Sequence, residues 1–287
     1  MQESGCMQII EDPKAIQEKA ADLRKNGKTI ALVSTSGALN AGHRALVEKA
    51  RQSADVMVVC TFVNPREFGP NEDYQRYPRN ASGDAEFCET HQVDILFRPA
   101  VEDIYPDNFS ISVSEDQLST SLCGVSRPHY FRGVCTLHAI LFVLVQPHLL
   151  VMGRRDAQKG AVIKNLIREM HFPIETATVD TVREQDGLAC NARNAYFNEF
   201  QRRDAATLYK ALLEGKKLVD TGTTNVDRIL AEVTHHISLC RRLRVIYVAA
   251  VNPETMEPLR SQISPGKTLV MTAVWCDEVR LIDNILI

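Results

Sequence analysis

The chain has 287 residues, 45% hydrophobic and 24% charged, the profile of a soluble globular protein long enough for one large domain or two modest ones. Its 33 basic and 36 acidic residues leave a formal charge of −3 with no block of one sign, which argues against a nucleic-acid-binding face. The longest apolar runs, 139–145 and 245–251, fall far short of the roughly 20 residues that span a bilayer, so no membrane partner is expected.

In chain order, residues 13–26 have helical spacing, with Ile16, Ala20 and Leu23 on one side and Gly27 as a stop. TIALVS (29–34) is a β-rich run, followed by the small-residue turn TSGALNAGH, a helix over 42–54 and an apolar strand over 55–63. Strand, turn, helix and strand at this spacing make a βαβ unit and hence a parallel sheet. Helices over 82–91, 133–145 and 157–170 then lead into strands over 93–99, 148–153 and 174–182. After Arg183 the texture changes to charged helices over 199–217 and 224–242, followed by strands at LRVIYVAAVNP, TLVMTAVW and VRLIDNILI. The expectation is an α/β chain: a doubly wound parallel sheet over 1–182 and a smaller α+β domain over 183–287. The N-terminal MQESGCMQIIEDPK lacks the basic start and apolar core of an export signal, which predicts a cytoplasmic protein. The eight cysteines, at 6, 60, 88, 123, 135, 190, 240 and 276, form no C-x-x-C pair and read as reduced, mostly buried thiols. Neither they nor the His235–His236 pair has metal-ligand spacing, so no protein metal site is expected.

Four segments carry candidate chemistry. STSGALNAGH (34–43) ends the first strand and opens a helix; Gly37 and Gly42 let backbone approach a phosphate, and the helix N-terminus offers unpaired N–H groups and a positive dipole end. FVNPREFGPNEDYQRYPRN (62–80) places Asn64 and Glu67 at the sheet's carboxyl edge. GRRDAQKG (153–160) gathers two arginines, an aspartate and a lysine suited to phosphates. TVREQDGLACNARN (181–194) carries Arg193 in a loop that could close over a nucleotide. Taken alone, each also reads as an ordinary turn, packed loop, solvated helix start or plain connection. Their shared position favours a ligand site, because each follows a strand and doubly wound sheets bind ligands beyond the strands' carboxyl ends.

Together GALNAGHRALVEKAR, FVNPREFGPNEDYQRYPR, LFRPAVEDIYP, SRPHYFRGV, FPIETATVDTVREQDGLA, ARNAYF and RLIDN resemble the pantothenate synthetase (pantoate–β-alanine ligase) family, nearly end to end. The resemblance implies a Rossmann-like sheet of the nucleotidylyl-transferase type carrying the nucleotide and the acid over 1–182. It also implies a C-terminal lid domain over 183–287 and a homodimer. The implied partners are a small acid and an amine, with ATP and Mg²⁺: pantoate is adenylated, and β-alanine then displaces AMP. Transferred residue by residue, Ser36, Gly37, Ala38, Leu39, Asn40, Gly42 and His43 line ATP, as do Gly153, Arg154, Arg155, Asp156, Val182, Cys190, Asn191, Ala192 and Arg193. His43 and Arg155 take the catalytic roles, and Asn64, Glu67 and Lys159 bind the acid. The family's first histidine of H-x-G-H is Asn40 here, its phosphate lysine is Arg155, and its L-S-S-R loop is Cys190–Arg193. Its two pantoate-binding glutamines are Glu67 and Lys159, which introduce two opposite charges. The substitutions leave open a ligase of the same family for another acid and amine, or a nucleotide-binding homologue with impaired catalysis.

Overall fold

The computed structural model describes residues 7–287, so Cys6 lies outside the description. Its Cα positions separate into two compact units. One takes the chain to Glu115 together with His129–Gly153 and Val162–Val179; the other comprises Asp116–Pro128, Arg154–Ala161 and Asp180–Ile287.

The first unit is built on a parallel sheet of six strands: β1 (Gln8–Ile10), β2 (Ile30–Thr35), β3 (Val56–Thr61), β4 (Ile95–Phe97), β5 (Leu149–Gly153) and β6 (Glu175–Val179). They lie in the order β1-β4-β3-β2-β5-β6, with every pairing parallel. The short edge strand β1 was not anticipated; three residues give too little pattern to read. The central strands are uninterrupted apolar runs because both faces are covered. Ile30, Ala31, Leu32 and Val33 are fully buried, as are Met57, Val59 and Cys60, and Val58 is nearly so. Each fully buried Val, Leu or Ile of this kind contributes about 1.5–3 kcal/mol. Alternate residues Ala31, Val33, Met57 and Val59 join Val47, Ala50, Cys88 and Val151 in one core cluster. That cluster seats helices Ala41–Arg51 and Ala81–Thr90 on one face of the sheet. Ile30, Leu32 and Val58 point to the opposite face by the two-residue alternation of strands.

Local chemistry sets the helix starts. Asp12 caps Pro13–Lys25, accepting from the Ala15 N–H at 2.7 Å, with Pro13 at the first helical position where its missing N–H costs nothing. Helix Tyr130–Val145 begins three residues earlier than its periodicity suggested and ends at Gln146, left-handed with φ 46°. Gly133 on this helix meets the turn Pro65–Glu67: a Cβ there would stand 2.2 Å from the Arg66 carbonyl oxygen.

The second unit carries an antiparallel sheet of three strands, β7 (Leu243–Val251), β8 (Leu269–Cys276) and β9 (Val279–Leu286), in that order. The expected helix over 199–217 is two, Glu199–Ala205 and Thr207–Asp220, joined at Ala206. Helix Val226–Ser238 packs on Thr207–Asp220, and Leu208, Leu212, Ile229, Val233 and Ile237 bury themselves with Val270, Val274 and Leu281 of the sheet. Gln158 explains why residues from the middle of the chain belong to this unit. Its amide donates to the Leu118 and Ser121 carbonyls, both at 2.8 Å, and accepts from the Cys123 N–H at 3.0 Å. The described cysteines are all free, with Cys60, Cys88, Cys123, Cys135 and Cys276 buried. No helix among the described residues is long and apolar enough to cross a membrane.

Two glycine substitutions separate packing from propensity. Gly133→Ala should cost about 1–3 kcal/mol, because the methyl group meets immovable backbone. Gly160→Ala, in helix Ala157–Glu169 with nothing within 4 Å of the added Cβ, should instead stabilise by about 0.5–1 kcal/mol. Thermal or denaturant unfolding of the two variants reads the opposite signs directly.

Candidate functional site

Strand order sets the place. From β2 the chain builds outward through β3 to β4, and later through β5 to β6 on the other side, so the order reverses between β2 and β5. Ligands in doubly wound sheets bind beyond the carboxyl ends of strands at such a switch point. Ser36 follows β2, Asn64 follows β3, and Gly153 ends β5.

After β2 the chain turns sharply through Gly37 and Ala38, with φ values of 75° and 50°, before Asn40 caps helix Ala41–Arg51. The sequence suggested unpaired N–H groups in this turn. In the structure those of Gly37, Ala38, Leu39, Asn40 and Gly42 all find side-chain acceptors. Gly37 N–H donates to Thr35 Oγ1 at 3.1 Å, and Gly42 N–H to Asn40 Oδ1 at 3.0 Å. Ala38 and Leu39 donate to the two carboxylate oxygens of Asp84, at 3.0 and 2.7 Å. The Asn40 N–H donates to His43 Nδ1 at 3.1 Å. A nitrogen that accepts from an amide carries no proton, so the neutral ring bears its hydrogen on Nε2. His43 is thereby set as an Nε2–H donor at the head of a helix, where the dipole favours an anion.

After β3, Asn64 and Glu67 are both buried. Asn64 Oδ1 accepts from the Arg66 N–H at 3.1 Å, and its amide nitrogen donates to Glu67 Oε1 at 3.1 Å and to the Gly133 carbonyl at 3.0 Å. Asn64 thus fastens the turn that presents Glu67. The neighbourhood is acidic. Burial, then Glu115 and Glu67, push the Cys135 thiol up to about 12, and burial with Glu67 raises the Tyr105 phenol.

In the second unit, the turn Arg154–Asp156 leads into helix Ala157–Glu169. Arg155 grips Asp156 Oδ2 through Nε (3.1 Å) and one terminal nitrogen (2.8 Å), while the other terminal nitrogen donates to the Cys190 carbonyl at 2.6 Å. Burial alone would raise the Asp156 carboxyl, but Arg155, Lys159 and Arg193 outweigh it and hold it below the usual range. One carboxylate therefore faces three cations, an excess of positive charge suited to a polyanion. The loop that carries Arg193 is internally fixed. Val182 O accepts from Cys190 N–H at 2.9 Å, and Asn191 caps the turn Ala192–Tyr196 through the Arg193 N–H at 3.1 Å.

The structure thus gathers Ser36–His43 in one turn, Asn64 with Glu67 in another, and Arg155, Asp156, Lys159, Cys190 and Arg193 in one charged cluster. Arg154 instead reaches out to the exposed Asp180 at 2.7 Å. Sequence reasoning did not single out Asp84 or the pair Asp283–Asn284. Asp283 takes a bidentate bond from Arg183 at 2.6 and 2.9 Å, and Asn284 donates to the carbonyls of Arg154 and Arg155 at 3.0 and 2.9 Å. The RLIDN motif was visible; its partners lie about a hundred residues away and were not.

Comparison with known proteins gives one answer. A family model described as pantoate-β-alanine ligase matches residues 8–286. The pantothenate synthetase of Thermotoga petrophila is 41% identical over 278 residues, 97% of this chain and 99% of that protein. The crystal structure of pantothenate synthetase from Thermus thermophilus superposes with a TM-score of 0.90 at 38% identity, covering 97% of this chain and 99% of that one. The pantoate-β-alanine ligase of Francisella tularensis, solved in complex with β-γ ATP and β-alanine, gives a TM-score of 0.80 at 28% identity over 98% and 97% of the two chains. With its sheet order, its turns beyond the strand ends and these matches along nearly its whole length, the chain belongs to the pantoate–β-alanine ligase family.

Proposed function

We propose that this protein is an ATP-dependent, AMP-forming ligase that joins pantoate to β-alanine. The observation that carries the reading is the end-to-end family match together with a positively charged cluster, Arg155, Lys159 and Arg193 around Asp156, at the turn following β5. In the first step a pantoate carboxylate oxygen attacks the α-phosphorus of ATP; the bond to the bridging oxygen breaks and pyrophosphate leaves. In the second, the β-alanine nitrogen attacks the acyl carbon and expels AMP, and the ammonium proton passes to solvent. Charge grows on the phosphates in the first step, so donors fixed in advance lower the barrier most. His43 supplies Nε2–H for this, and Arg155 a guanidinium anchored on Asp156 and Cys190.

In this reading Ser36, Gly37, Ala38, Leu39, Asn40, Gly42 and His43 bind ATP, with Gly153, Arg154, Arg155, Asp156, Val182, Cys190, Asn191, Ala192 and Arg193. Asn64, Glu67 and Lys159 serve the acid. Mg²⁺ would accompany the nucleotide. Its chemistry there is neutralisation of phosphate charge. Residues 1–182 bind nucleotide and acid, 183–287 act as a lid, and the protein works as a cytoplasmic homodimer. The charges at Glu67 and Lys159 support a second reading, a ligase of the same family for a different acid and amine.

ATP–pyrophosphate exchange across a panel of acids separates the two. Pantoate supporting the fastest exchange upholds the first; a different acid outpacing it moves the assignment to the second. His43→Ala should slow exchange by about 10²-fold or more, the scale of losing one charge-stabilising donor. A folded variant with unchanged exchange kinetics would remove His43 from the mechanism. Glu67→Gln or Lys159→Gln alone restores one of the family's two acid-binding amides, whereas the double variant restores both. On pantoate the double variant should therefore outperform either single by about tenfold, equivalent to ~1.4 kcal/mol of barrier, measured as kcat/KM.

A further inference from the structure

The turn Gly37–Leu39 places two consecutive residues in the left-handed region, and the second is alanine, which pays for that conformation with strain. Successive N–H groups in such a turn converge into a small cup that ordinarily receives an anion. Here the cup is already filled from within the protein. Asp84, in the first turn of helix Ala81–Thr90, puts Oδ2 on the Ala38 N–H at 3.0 Å and Oδ1 on the Leu39 N–H at 2.7 Å. It is only 6% exposed. The fit is close: a Cβ on Gly37 would stand 2.8 Å from Asp84 Oδ2, so Gly37 is required both by its φ of 75° and by the carboxylate beside it. Asp84 is itself held by its helix, since its N–H donates to the Asn80 carbonyl at 2.8 Å.

A carboxylate in this place does not favour a phosphate by charge; it repels one. Its burial also carries a desolvation cost, visible in a carboxyl raised above its ordinary range by burial against the two backbone bonds. What it supplies is geometry. The Leu39 amide it holds immediately precedes Asn40, and the Asn40 N–H is the group that sets the ring of His43. We propose that Asp84 is a positioning residue for the nucleotide, holding the Gly37–Leu39 turn so that Asn40 and His43 meet the phosphates in a fixed arrangement. The proposal rests on the ATP-dependent reading above for the identity of the ligand, and on this structure alone for the linkage from Asp84 to His43.

Asp84→Asn tests it, because the variant keeps the shape and replaces one acceptor oxygen with an NH₂ that cannot accept from an amide. The dissociation constant for ATP, measured by calorimetry, should rise about tenfold or more, the scale of one lost hydrogen bond to a charged group. In exchange kinetics the KM for ATP should rise similarly. The KM for β-alanine, measured from preformed adenylate, should stay within about twofold. A merely structural loss would lower the active fraction and the unfolding temperature without shifting the ATP constants. Because the effect runs through His43, Asp84→Asn and His43→Ala together should lose less than the product of their separate losses. Wild-type ATP affinity in folded Asp84→Asn, or losses that multiply in full, would overturn the proposal. Should Asp84→Asn not fold, Gly37→Ala presses on the same carboxylate from the other side and must show the same ATP-selective loss. If wild type binds ATP but shows no exchange with pantoate, the proposed reaction fails while the calorimetric comparison still decides the role of Asp84.

Discussion

Everything in the first unit is referred to β2. Its four apolar residues Ile30–Val33 are completely buried, and it is hydrogen-bonded in parallel to β3 on one side and β5 on the other. A strand in this position cannot slip. A one-residue shift would break its register with β3 and β5 together and take Ala31 and Val33 out of the cluster that seats helices Ala41–Arg51 and Ala81–Thr90. The strand's carboxyl end is therefore a fixed point, and because β2 pairs in parallel with both β3 and β5, the carboxyl ends of the three strands lie together at the switch point.

The turns beyond the strand ends are fastened by buried polar side chains that bond to backbone groups. Asp84 holds Ala38 and Leu39; Asn64 holds the turn that presents Glu67; Asn284 holds Arg154 and Arg155. Each such bond contributes about 0.5–1.5 kcal/mol net, more where a partner is charged. The asymmetry matters more than the mean. Removing one partner strands a buried donor or acceptor, so these residues define geometry more strictly than their net contribution suggests. Arg183 shows the same economy of means: one guanidinium binds the buried Asp283 at both oxygens and lies 3.4 Å from the centre of the Tyr209 ring.

Electrostatically the two units differ in kind. In the first, burial leads in pushing the Cys135 thiol up to about 12, with Glu115 and Glu67 adding to it. In the second, Asp156 stays ionised in spite of burial because three cations surround it. Arg155 spends three of its donor contacts on Asp156 and Cys190. Its planar fork serves there as a strut as well as a charge, which a lysine's point charge would not reproduce.

The sequence by itself determined the α/β class, the parallel sheet, the helix that opens after β2 and the order of the chemical segments. Those features rest on local periodicity, on Gly37 and on residues close in the chain, such as Asn40 and His43, whose capping pair spans three positions. Only the tertiary structure decided which side chains hold those segments in place. Asp84 reads in the sequence as one more acidic residue near a helix start, yet it reaches 45 positions back to Leu39. Asn284 reaches 129 positions back to Arg155, and Gln158 reaches 40 to Leu118, placing the middle of the chain with its end. Periodicity reports which face of an element is buried, because burial recurs with the helix or strand repeat. A single buried carboxylate or amide recurs with nothing. Its partner is chosen by where the backbone of another segment leaves an N–H or a carbonyl unsatisfied, and that is known only once the chain has folded.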